Sequence, residues 1–147
     1  MLFEINHISP RNFGTRKQWL QNVLDEALDK ENSTLSNMNL NSRAAALMLE
    51  AMRVFCTGNW VSTLILSQAT IDAALWDEDG LKGINTNKLR TDAEYVWLRN
   101  RRNTILHSIP GVTPITMHDF NLDDEGLEKD AKQALLLTIR GLTSFLY

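Results

Sequence analysis

Apolar residues recur along most of this chain at steps of three and four, the spacing that gathers them on one face of a helix. Trp19, Leu20, Val23, Leu24, Ala27 and Leu28 keep that step. They predict a first helix from about Arg16 to Lys30. Thr15 and Gln18 would open it as a capping box, and Lys30 would close it where a cation is favoured. A second helix is expected after Ser42, ending at Gly58, a residue suited to the left-handed turn past a helix end. From Ala44 to Met52 it is apolar almost all round, which predicts a central, buried helix. A third is expected from Trp60 to Trp76, with Val61, Leu64, Ile65, Ala69, Ala73 and Trp76 on its packed face. The short Gly58-Asn59 link makes these two an antiparallel pair.

Polar stretches separate the periodic ones. Asn32 to Ser42 is dominated by Asn, Ser and Thr, which bond to nearby backbone and favour turns. Leu35, Met38 and Leu40 run through it, so it is expected to pack down. Asp77 to Asn87 reads as a polar loop with Gly80 and Gly83. Thr91 and Glu94 form a second capping box, opening a helix from about Asp92 to Ser108 that Pro110-Gly111 stops. Thr113 to Asn121 reads as a connector. The last helix opens on Asp123, Asp124 and Glu125, anions at the positive end of the dipole. It continues through Leu127, Ala131, Ala134, Leu135, Leu142, Phe145 and Leu146. No segment alternates like a strand. The expected fold is an all-α bundle of four to five helices in a single domain, residues 1–147.

Composition narrows the function classes. Hydrophobic residues are 44% and charged residues 22% of the 147, too apolar for a disordered chain. With 15 Lys+Arg against 18 Asp+Glu the net charge is −3, which excludes a molecule-wide basic surface for nucleic acid but not a local patch. A single cysteine, Cys56, excludes an internal disulfide framework and a cysteine-based zinc site. It is expected in the core, in a reducing compartment. No apolar run approaches the ~18 residues of a membrane span. Met1 to Ser9 carries Glu4 and no basic stretch, unlike a signal peptide. The expectation is a cytoplasmic chain with no membrane partner and no cofactor.

Charge is unevenly spread. Lys82, Lys88, Arg90, Arg99, Arg101 and Arg102 face only Asp92 and Glu94 between Lys82 and His107, a local +4. Asp119 to Asp130 holds six acids against Lys129, a local −5. Such runs are ordinarily solvated faces. A basic helix on an acidic protein still suits a phosphate backbone.

The basic stretch contains Leu98-Arg99-Asn100-Arg101-Arg102-Asn103-Thr104-Ile105-Leu106-His107. Arg102, Asn103 and His107 form an R-N-x3-H pattern near the end of a helix. It resembles the signature of the HEPN superfamily, small all-α domains that often cleave RNA. The resemblance covers the helical core from about Arg43 onward, and its sharp part is the motif. It implies an HEPN-like fold and a metal-independent endoribonuclease with Arg102, His107 and Asn103 as catalytic residues. Such proteins act in toxin–antitoxin, anti-phage and RNA-processing systems. Arg101 also lies within the family's allowed spacing of His107, so either arginine fits. Arg99, Arg101, Lys88 and Arg90 are the candidate RNA contacts.

The chemistry agrees with those residue types. Metal-free cleavage, in which the RNA 2′-OH attacks the adjacent phosphate, needs a proton acceptor, a proton donor and a cation for the phosphorane charge. Histidine serves as acid or base near neutral pH. Arginine does not deprotonate, but its fork matches phosphate. Geometry adds a condition. Five residues of helix turn through about 500°, so Arg102 and His107 would point about 140° apart on a continuous helix. Asn103 and His107 share a face. Either the helix bends or ends near His107, or a second protomer completes the site. The resemblance implies the latter, a homodimer in which two Arg-His sets line one cleft.

Other candidates carry less. His118-Asp119 lacks a third ligand for a metal, and His7 has no partner signal. Trp97 reads as core or dimer interface. A second reading keeps the same fold as a non-catalytic dimerisation or partner-binding module, favoured by the acidic balance. A third makes the chain one half of a toxin pair whose antitoxin resembles a nucleotidyltransferase.

Overall fold

The computed structural model describes residues 12–29, 40–77, 86–116, 119 and 124–143. Among them the protein is an all-α bundle of six helices: α1 Phe13–Asp29, α2 Ser42–Cys56, α3 Trp60–Trp76, α4 Thr86–Thr91, α5 Ala93–Leu106 and α6 Asp124–Thr143.

The pair α2 and α3 is the most extensively packed. Asn41 caps α2 by accepting from the Ala44 N–H at 2.8 Å, which satisfies one of the unpaired N–H groups of the first turn. Its side-chain amide donates to the Ala73 carbonyl near the far end of α3 at 2.8 Å. The start of α2 therefore lies beside the end of α3, and the two are antiparallel, as the short link predicts. The turn between them depends on Gly58 at φ +79°, a left-handed conformation that a Cβ disfavours.

The centre of the bundle is α3, not α2. Helix α3 packs on α2, α5 and α6. It buries Trp60, Thr63, Leu64, Ser67, Gln68, Thr70, Ile71, Ala73 and Ala74. By contrast Ala45, Ala46 and Leu49 of α2 are exposed, although the sequence there is apolar all round. The stripe through Ala44, Met48, Ala51 and Phe55, with Cys56 at its end, is the part buried in the core. Trp76, expected on the packed face of α3, is 87% exposed. The buried threonines are satisfied within the helices: Thr63 donates to Asn59 O at 2.9 Å and Thr70 to Leu66 O at 2.7 Å.

Helix α6 covers α3 and runs antiparallel to α5. Tyr95 donates to Leu137 O at 3.2 Å, and Arg101 pairs with Asp130 at 3.0 Å, so α5 rises as α6 falls. At the other end of the bundle Arg16 stacks 4.9 Å from the Trp60 ring centroid and donates to Cys56 O at 3.3 Å. Phe55 packs between Trp19 and Trp60. Cys56 is buried, as expected, and loss of solvent pushes its thiol pKa up.

Three predicted boundaries move. Helix α1 starts at Phe13, and Gln18 donates to Asn22 one turn on instead of closing a box with Thr15. Thr86 to Thr91 is a helix of its own where the sequence reads as the end of a loop and a cap. Thr91 donates back to Asn87 O at 2.8 Å, and Asp92 is the N-cap of α5 without a side-chain cap bond. Helix α5 ends at Leu106 rather than Ser108. Lys30 to Asn39, His118, and Phe145 and Leu146, expected in the last helix, lie outside the described residues. None of the described helices is long and apolar enough to cross a membrane.

Candidate functional site on helices α3 and α5

Arg102 and Asn103 sit in the last turns of α5, and His107 is its C-cap. The helix stops at Leu106, one residue before His107. His107 has φ −134° and ψ 145°, an extended backbone, so its imidazole is not bound to the helical 100° step. Its N–H still closes the last turn on Asn103 O at 2.9 Å. Of the ways to reconcile Arg102 with His107, the helix end is the one present in the chain itself. His107 is exposed.

Arg102 is held on two sides. Its Nε and Nη2 both donate to Asn103 Oδ1, at 3.1 and 3.0 Å. Its Nη1 donates to Asp72 Oδ2 on α3 at 2.6 Å, a charge-assisted bond. The other oxygen of Asp72 accepts from Gln68 Nε2 at 2.8 Å. Asn103 therefore serves both motif partners, its side chain for Arg102 and its carbonyl for the His107 backbone. No hydrogen bond joins the Arg102 and His107 side chains among the described residues.

The neighbouring arginines are placed differently. Arg101 points the other way, to Asp130 of α6, and both carboxylate and guanidinium are about 70% covered. This pair joins the basic stretch to the acidic one. Arg99 donates to Arg90 O at 2.9 Å and so ties α4 to α5. Lys88 of α4 and Asp92, the N-cap of α5, approach to 3.9 Å. Lys82 lies outside the described residues. Trp97 is partly buried against the core.

Asp72 is the residue that sequence reasoning missed. A signal for it exists: it is the one charged residue in α3, from Trp60 to Trp76. Asp119 accepts from Thr116 N at 2.6 Å and closes a local turn. Among the described residues no three His, Cys, Asp or Glu side chains gather as a metal site. A separate groove of about 380 Å³ between α1 and α2 is lined by Phe13, Leu20, Leu24 and Met52, and no motif residue reaches it.

Compared with protein-family models, curated proteins and solved structures, the chain matches none of them.

Proposed function

We propose that this chain is a metal-independent endoribonuclease of HEPN type that works as a homodimer. The observation that carries the reading is the arrangement at the end of α5. A guanidinium is pre-set by Asn103 and Asp72, and the helix ends in extended backbone at an exposed His107. Groups held in place before reaction do not have to be ordered during it.

The roles follow from the chemistry. The substrate 2′-oxygen attacks the adjacent phosphorus, and the bond from phosphorus to the 5′-oxygen breaks. The products are a 2′,3′-cyclic phosphate and a 5′-hydroxyl. Arg102 neutralises the charge on the phosphorane oxygens. One His107 gives its proton to the leaving 5′-oxygen, and the His107 of a second copy takes the proton of the 2′-OH. The need for two proton-transfer groups is what asks for two chains. Support for a dimer comes from Leu106, Ile109 and Val112, which are exposed around His107 in one short stretch.

The test is cleavage of varied RNAs in EDTA, comparing the native protein with His107→Ala. Loss of cleavage in the variant, with cyclic-phosphate ends on the native product, supports the reading. Equal cleavage by both, or none by either, ends it.

A second reading is a non-catalytic dimerisation or partner-binding module. It is favoured by the ion pairs Arg102–Asp72 and Arg101–Asp130, which offset two of the cations of the basic helix. A stable dimer that cuts no RNA would match it.

A further inference from the structure

We infer that Asp72, held in turn by Gln68, is a positioning residue that aims the Arg102 guanidinium at the scissile phosphate. The inference rests on the ribonuclease reading above and names a further part of the same site.

Asp72 is half exposed at the side chain, but its surroundings on α3 hold no other charge. It lies in the last turns of α3, where the helix dipole disfavours an anion. It is the lone charge in a helix otherwise apolar or neutral. Its charged partner is not on α3 but is Arg102, 30 residues away. The carboxylate has little freedom of its own. Gln68, one turn earlier and 2% exposed, donates to Oδ1, while Oδ2 takes Arg102 Nη1.

Asn103 alone would not fix the guanidinium, because it sits next to Arg102 and moves with the same turn of α5. Asp72 supplies an anchor from a second, buried helix. The three bonds use Nε, one proton of Nη1 and one of Nη2. Of the five N–H donors of arginine, one remains on each terminal nitrogen, free for a phosphate oxygen. The pairing thus serves as a jig and not as a lock on the cation.

The experiment uses the full-length protein and three variants: Asp72→Asn, Asp72→Glu and Arg102→Ala. Nuclear magnetic resonance of the arginine Nε–H groups reads the position of Arg102 directly, and inorganic phosphate is the probe. In the native protein the Arg102 Nε–H signal is resolved and shifts on adding phosphate. In Asp72→Asn the signal averages with the exposed arginines and the phosphate shift is lost. Cleavage kcat falls about 100-fold, the scale of a misplaced catalytic group, with KM and Tm near native. Asp72→Glu restores part of kcat, and Asp72→Asn adds nothing on top of Arg102→Ala.

An unchanged Arg102 signal in Asp72→Asn overturns the proposal. So does tighter phosphate binding by that variant, the mark of a carboxylate that competes with substrate. A fall in Tm with kcat unchanged reduces Asp72 to a structural role and also overturns it. If neither the native protein nor His107→Ala cuts RNA, the ribonuclease reading fails separately. The phosphate titration then still decides whether Asp72 sets an anion site at Arg102.

Discussion

Arg102 and Asn103 are bound to each other: the guanidinium grips the adjacent amide oxygen with two donors, at 3.1 and 3.0 Å. Adjacent residues on a helix point about 100° apart and rarely meet in this way. They meet because a long side chain folds back along the helix surface to a short one. Asn103→Ala removes the oxygen and keeps the helix, since alanine is the better helix former. The expected outcome is a folded protein of native or slightly higher Tm whose RNA cleavage is much reduced. Thermal unfolding and a cleavage time course on the same sample check both halves.

The two motif arginines should separate cleanly on substitution. Arg101 pairs with Asp130 on α6, while Arg102 faces Asp72 and Asn103. Arg102→Ala should cost about 100- to 1000-fold in kcat, as loss of a charge-stabilising donor does. Arg101→Ala should leave most of the cleavage and lower stability by only ~0.5 kcal/mol, the usual worth of a partly exposed pair. A larger catalytic loss at Arg101 than at Arg102 would reverse the assignment of the acting residue.

The helical class was legible because its signals are local. Gly58, Pro110 and the polar runs stand where helices stop, and Trp60–Trp76 is found with the expected bounds. The second capping box misled because a hydroxyl can donate as well as accept. Thr91 turns back to Asn87 O inside α4, so the next helix begins on Asp92 instead. The burial of α2 was overestimated for a different reason. Alanines such as Ala45 and Ala46 are compatible with solvent as well as core, and α3 is the helix packed most extensively on its neighbours. In the candidate site, Arg102, Asn103 and His107 stand close enough in sequence to be read as a pattern. Asp72 does not, because its bond to Arg102 spans 30 residues and exists only once α3 and α5 are packed.

Gly141 marks a close approach of α6 to Tyr95 of α5 and Leu89 of α4. A Cβ there would stand 2.6 Å from the Tyr95 hydroxyl and 2.7 Å from Leu89 Cδ2. Leu89 is itself buried, and the hydroxyl is tied to Leu137 O. Gly141→Ala gains about 1 kcal/mol of helix propensity and loses about 1–3 kcal/mol to overpacking. A net loss of roughly 1 kcal/mol is expected in urea unfolding. Tyr95→Phe removes the obstructing oxygen, so the two substitutions should be less costly together than the sum of each alone. Additive effects would show that the clash lies elsewhere.

Tyr95 also links the fold to alkaline pH. Burial pushes its pKa up to about 12, the nearby Glu94 and Asp92 charges add to the rise, and Arg140 opposes it. The ordinary tyrosine value is near 10. The folded state therefore holds this proton where the unfolded chain has released it. The stabilisation is fully present below pH ~10 and is lost as pH rises from ~10 to ~12. The loss amounts to roughly 2–3 kcal/mol across that window, the free energy of ionising a phenol in a 4% exposed site. Urea unfolding at pH ~8 and ~11 should show the native protein weakening with pH faster than Tyr95→Phe, which has no proton to lose. Parallel decline of the two proteins would assign the alkaline sensitivity to other groups and leave Tyr95 as a packing residue only.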